Sequence, residues 1–301
     1  MARVVPFYLS SSRSATFFWA LPLFFVVLLL FLFKPQTACI ILTVLGSLNL
    51  FFWLTVKWVQ RKDRSLVAVK TTLHVENKTA SKAILLLHGF ADLPQTWQRQ
   101  ANWLATCGYT VIVPYINHDT PEKWHAIIES HLKHLCSTYS HVELWGHSMG
   151  GALALEIAPR YPLKRVVLWA PFLAPYLTRP ITALIYSLHR LLYIGPRTFT
   201  FFPSHRHGKG TPTTSYCVDR TLPTRTFAAM LQTQYRATYR QHTAPLVFML
   251  SHRESIISNK AIIKHFSNAT ILWAAHPSTR HQLTNATDWL KNLKRIQRHT
   301  I

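Results

Sequence analysis

The stretch from Val142 to Ala158, VELWGHSMGGALALEIA, passes from a short apolar segment through Gly-His-Ser-Met-Gly-Gly into an alanine- and leucine-rich run. Ser148 stands between Gly146 and Gly150. A serine so placed is either the tip of a tight turn or a nucleophile that attacks an acyl carbonyl. The second role needs a base for the hydroxyl proton, an acid to orient that base, and N–H donors for the oxyanion. A Gly-x-Ser-x-Gly turn between a strand and a helix suits that chemistry. Small residues let the two backbones approach, and the serine is lifted above the sheet edge. The free N–H groups at the start of the helix point toward it and favour negative charge.

The elements needed to hold such a turn are legible around it. AILLLHGF, residues 83–90, is a fully apolar run of the kind that forms a buried parallel strand. Residues 94–108 have helical spacing and end at a glycine, and YTVIVPYI follows as a strand. Residues 120–139 open with a threonine in the N-cap position, proline at the first helical position and Glu122 in the first turn. HVELWG, KRVVLWAPF, PLVFML and ATILWAA read as strands, and GALALEIAPRY, NKAIIKHF and NATDWLKNLKRI as helices. LVAVKTTLHVE alternates as an edge strand or hairpin would. Strands separated by helices imply a doubly wound, mainly parallel sheet, whose functional residues collect at the carboxyl ends of the strands.

About 172–243 interrupts this alternation as an insert without a convincing strand. Its aromatic, amphipathic start, TRPITALIYSLHRLLYI, and a helix over roughly Thr224 to Tyr239 read as a cap over the sheet edge. The cap's apolar face lines an acyl pocket, touches a membrane or packs on the core. His205, Arg206 and His207 lack a third ligand at metal-binding spacing and read as a solvated loop.

The first sixty residues have a different character. Residues 15–33 and 37–56 contain no charged residue, and each is about long enough to cross a bilayer as a helix. A hairpin of two transmembrane helices explains both, where a cleaved signal peptide explains only the first. Arg3 and Arg13 before it and Lys57, Arg61, Lys62 and Arg64 after it place both ends in the cytoplasm, with only Lys34 in the turn. This divides the chain into a membrane anchor at 1–57, a linker and edge strand at 58–82, and a catalytic domain at 83–301. The net charge is +22, and its positive excess lies mostly beyond the anchor. The cations are scattered singly, without a nucleic-acid recognition pattern, and fit an anionic membrane surface. Cys39, Cys107, Cys136 and Cys217 form no close pair, which suits a reducing compartment rather than a disulfide framework. The sequons at Asn77, Asn268 and Asn285 read as chance matches.

The segments LLLHGFADLPQTW, LATCGYTVIVPYINHDTPEKW, VELWGHSMGGALAL, LSHRESIIS and STRHQLT together resemble the α/β-hydrolases, and within them the carboxylesterases and monoacylglycerol-lipase-like serine esterases. The resemblance covers about 83–295 and excludes the two apolar segments. It implies Ser148 as nucleophile, followed in chain order by an acid and a histidine. The acid falls on Glu254, where the family usually has aspartate; the alternative is a surface glutamate paired with Arg253. Asp219 and Asp288 are poorer placed. His281 matches the histidine loop better than His276, which lies too close to the last strand. The oxyanion donors implied are the N–H groups of Phe90 and Met149, while His88 and His147 read as supporting or packing residues. The implied reaction is hydrolysis of a carboxylic ester, lipid-like in view of the cap and anchor, with no cofactor required. Thioester hydrolysis, acyl transfer and a non-catalytic membrane module are the alternatives.

Overall fold

The computed structural model describes residues 71–90, 92–116, 120–173, 242–254, 256–277 and 288–299, together with residues 8–9, 36, 40, 43, 47, 198–200, 221–223, 230, 233–234 and 236–237. Seven strands form one sheet: β1 (Leu73–Val75), β2 (Lys82–Leu87), β3 (Tyr109–Val113), β4 (His141–His147), β5 (Arg165–Trp169), β6 (Leu246–Leu250) and β7 (Thr270–Trp273). Their order is β7-β6-β5-β4-β2-β3-β1. All neighbours are parallel except β1, which runs antiparallel to β3 at the edge. This is the α/β-hydrolase sheet that the sequence implies. Among the described residues, five α-helices described along their whole length accompany these strands: α1 (Gln98–Thr106), α2 (Pro121–Thr138), α3 (Met149–Ile157), α4 (Asn259–His265) and α5 (Trp289–Arg298).

β2 lies near the centre, and Ala83 to Leu87 are completely buried. A strand covered on both faces must be apolar at successive positions, which is why it shows no alternation. Burying each such leucine or isoleucine stabilises the fold by about 1.5–3 kcal/mol. The start of α2 follows its sequence signals: the Thr120 hydroxyl accepts the Lys123 N–H, and Pro121 occupies the first turn. A 3-10 turn, Pro94–Trp97, precedes α1 within the span read as one helix.

The strand order reverses at β2. The chain goes from β2 to β3 on one side, then crosses to β4 on the other. The carboxyl tips of β2 and β4 are therefore neighbours, with Leu87 opposite Gly146 in the ladder. Such a reversal opens a crevice where ligands bind in open α/β sheets.

The insert departs from expectation. It contains two three-residue strands, Thr198–Thr200 and Thr221–Pro223, which pair antiparallel with each other. The first also pairs with Tyr8–Leu9. Strands this short have no period to read, and their pairing is set by partners distant in sequence. Residues 230, 233, 234, 236 and 237 are helical, within the helix expected there. The two segments read as a membrane hairpin lie outside the described residues, apart from Ile40, Thr43 and Ser47, which are helical and exposed. Among the described residues, no helix is long and apolar enough to cross a membrane.

Candidate active site

Ser148 sits at the junction of β4 and α3 with φ 50° and ψ −114°. A non-glycine residue with positive φ in such a sparsely populated region costs on the order of 1–3 kcal/mol, and the fold must hold it there. Here it does so on three sides. The Ser148 N–H donates to the Trp169 carbonyl at 2.9 Å. The Ser148 carbonyl accepts from Gly151 at 3.0 Å, from Ala152 at 3.2 Å and from Phe172 at 2.9 Å. Gly146 and Gly150 supply the space. A Cβ at Gly146 would stand 2.3 Å from the Gly150 carbonyl oxygen, and one at Gly150 would stand 2.3 Å from that of Leu87. Ser148 is buried but remains 8% exposed.

The anchoring of the Ser148 carbonyl also orients Met149. In a trans peptide the Met149 N–H points away from that carbonyl, and among the described residues no peptide bond is cis. The same logic applies to Phe90, which follows His88 and Gly89 beyond the tip of β2. The Gly89 carbonyl accepts the Asp92 N–H at 3.1 Å and lies 2.9 Å from Nδ1 of His88. Nε2 of His88 accepts the Ile116 N–H at 3.1 Å, which leaves the ring proton on Nδ1 to be donated to Gly89. His88 is thus committed at both nitrogens and has no capacity to act as a general base. It ties the Phe90 turn to the segment after β3.

Glu254 follows β6 in a turn of its own. Its Oε1 accepts the N–H groups of Ile256 at 2.8 Å and Ile257 at 3.4 Å, and its Oε2 accepts the Ser251 hydroxyl at 2.9 Å. The Ser251 carbonyl in turn accepts from the Asn259 amide at 2.7 Å. Three donors converging on one carboxylate fix its direction. No ion pair to Arg253 is needed for this arrangement. His281 lies outside the described residues, as does Asp219. His276 is described, is exposed, and follows β7. Asp288 is buried immediately before α5.

Three features near the turn carry no signal in the sequence. Ala170, just after β5, has φ 40°, a second strained non-glycine beside the first. Its neighbour Phe172 supplies one of the bonds to Ser148. Asp92 is completely buried, with Oδ2 at 3.2 Å from the Gly89 N–H and 3.3 Å from Nδ1 of His147. The insert, finally, docks on the helix that follows Ser148. Arg236 Nη1 lies 3.5 Å from the buried Glu156 of α3, which also meets His125 of α2 at 3.2 Å. The Gln234 amide donates to the Leu173 carbonyl. Only tertiary placement brings these groups to the site.

A family model described as serine aminopeptidase, S33, matches residues 119–288, more than half of the chain. A curated epoxide hydrolase from Caballeronia sordidicola is 40% identical over 53 residues, and the match spans 18% of this chain and 16% of that protein's length. Among solved structures, a report on the metagenome-derived lipolytic enzymes LipS and LipT gives a TM-score of 0.62 at 18% identity, covering 77% of this chain and 97% of that one. The monoacylglycerol lipase of Paleococcus ferrophilus gives 0.59 at 17% identity, covering 75% and 96%. A soluble variant of monoglyceride lipase from Saccharomyces cerevisiae gives 0.58 at 15% identity, covering 76% and 89%. At these identities the structural likeness concerns the fold.

Proposed function

The chain belongs to the serine aminopeptidase S33 family of α/β-hydrolases, and from that premise we propose that it is a serine hydrolase of carboxylic esters, lipid-like ones above all. The observation that carries this reading is the strained conformation of Ser148 at the carboxyl end of β4, beside the reversal in strand order. Ser148 attacks the acyl carbonyl while His281 accepts its proton, and Glu254 holds the imidazole in the right direction. Phe90 and Met149 donate their N–H groups to the oxyanion, an interaction worth about 3–4 kcal/mol for each donor removed. The alcohol leaves, and water releases the acid from the acyl-enzyme.

An acyl centre suits this nucleophile better than the epoxide in the relative's name. Opening an epoxide with a serine oxygen leaves an ether, which water does not readily hydrolyse, whereas an acyl-serine ester turns over. Thioesters and acyl transfer to an alcohol would use the same groups. The lipolytic neighbours and the apolar insert support the lipid-like preference.

The membrane hairpin at 15–33 and 37–56 is part of the same proposal, with the catalytic domain on the cytoplasmic side. Pairing of Tyr8–Leu9 with Thr198–Thr200 requires both partners on one side of a membrane, which two crossings satisfy and a single crossing does not. A fluorophosphonate probe should label the wild-type chain and fail on Ser148→Ala. A folded wild-type sample that is not labelled would refute the nucleophile. An ester panel then reads the acyl preference, and an optimum at acetyl would refute the lipid assignment.

A further inference from the structure

The two oxyanion donors come from different parts of the chain, Phe90 after β2 and Met149 after β4. They must reach one point in space to within a fraction of an ångström, because misplacement by about 1 Å is enough to cost about 10²-fold in rate. We propose that Asp92 and His147 form a buried clamp that positions the Phe90 turn against the Ser148 elbow, an inference that rests on the reading of Ser148 as nucleophile.

Asp92 grips the first segment from both ends. Its N–H donates to the Gly89 carbonyl at 3.1 Å and its Oδ2 accepts the Gly89 N–H at 3.2 Å. The peptide unit bearing the Phe90 N–H is thereby held through the residue before it. The same Oδ2 lies 3.3 Å from Nδ1 of His147, the residue immediately before Ser148. Both side chains are out of solvent, at 0% exposure for Asp92 and 1% for His147. The Trp97 ring meets His147 edge-on at 6.3 Å between centroids and closes that flank. Gly89 confirms how tightly the three fit: a Cβ there would stand 2.7 Å from Oδ2 of Asp92 and 2.9 Å from Nδ1 of His147.

Apolar side chains of similar volume would fill this space with less desolvation cost. What the polar pair adds is direction, since the hydrogen bond from the Gly89 N–H to Oδ2 and the polar contact between Oδ2 and Nδ1 of His147 fix orientation where packing alone does not. Asp92 and His147 are therefore positioning residues: they act through the backbone of Gly89 and Ser148 and need not touch substrate.

The test uses the full chain with a chromogenic ester, comparing Asp92→Asn, His147→Gln and the double variant, with turnover expressed per folded molecule. The clamp predicts that each single variant lowers kcat by about 10–100-fold with KM within about twofold. The double variant should be no worse than the poorer single one within about threefold, because both changes disable one unit. A purely structural role would lower the folded fraction and the unfolding temperature while leaving kcat per folded molecule unchanged, and that result overturns the clamp. So does a raised KM at constant kcat. If one variant does not fold, the other decides; if neither folds, the pair is a folding element and the proposal is wrong. Ser148→Ala separates the two levels. Retained turnover in that variant defeats the nucleophile reading itself, whereas its loss alongside wild-type kcat in the Asp92 and His147 variants defeats the clamp alone.

Discussion

At the scale of single residues, Glu254 is the departure that matters most. Glutamate reaches one methylene further than the aspartate usual at this position, and the turn after β6 accommodates the extra length. Two backbone N–H groups and a serine hydroxyl hold its oxygens in place. Glu254→Gln keeps the volume but sets an amide where donors converge. Its kcat should fall by about 10²–10⁴-fold with the protein still folded, as loss of the orienting acid does in a triad. Glu254→Asp should fall between that variant and wild type, since the carboxylate survives but retreats from Ile256. Steady-state kinetics on both variants check this; Glu254→Gln within about threefold of wild type would assign the acid elsewhere. The resemblance to the α/β-hydrolases singles out this residue, at the position after a strand where they usually carry aspartate. It did not reveal the donors from Ser251, Ile256 and Ile257, because a turn's hydrogen bonds depend on backbone angles that residue types leave open.

At the scale of elements, strand alternation sorts the chemistry onto one sheet face. Glu143, Trp145 and His147 share a face of β4 and align with Arg165, Val167 and Trp169 of β5. Near Ser148 this column ends in the Asp92–His147 pair. At the amino edge it ends in Glu143, which is completely buried and accepts from Arg165 at 2.8 and 3.0 Å, from the Trp145 indole at 2.7 Å and from the Tyr109 hydroxyl at 3.2 Å. Arg165 also donates to the Ile296 carbonyl at 3.0 Å, fastening α5 to the sheet. Burial, followed by the charge on Glu143, pushes the Tyr109 phenol up to about 12 from its ordinary value of 10.0. The folded state therefore holds this proton more tightly than the unfolded one. The resulting stabilisation is complete below pH 10 and is lost as the pH rises toward 12. The unfolding temperature of the wild type should fall across that window more steeply than that of Tyr109→Phe, and parallel slopes would contradict the assignment. Short apolar runs in the sequence located β3, β4 and β5 closely. The register that makes Glu143, Arg165 and Tyr109 neighbours came from strand pairing, which no single segment encodes.

At the scale of the whole molecule, the charge of +22 has a visible outlet on α5, where Lys291, Lys294, Arg295 and Arg298 are exposed without an acid between them. Arg295 also donates to the Trp273 carbonyl at 2.7 Å, so that part of this charge is fixed against β7. If the basic surface meets anionic lipid, an ester carried in vesicles with about 20% anionic lipid should be hydrolysed faster than in neutral ones. Raising salt to about 0.5 M should abolish the difference, since the screening length is only about 8 Å at 0.15 M and shorter above it. Lys291→Glu with Lys294→Glu and Arg298→Glu should abolish it too; equal rates on both vesicles would remove the lipid-surface assignment. The sequence by itself determined the fold class and the strand-to-helix turn at Ser148, because apolar runs, small residues and turn chemistry are local properties. It missed the two short strands of the insert, which have too few residues to show a period. Tertiary structure alone decided that the tips of β2 and β4 adjoin, that Asp92 meets His147, and that Phe172 and Trp169 brace the strained serine. Those contacts join residues from separate strands and loops, and only the order of strands in the sheet brings them within bonding distance.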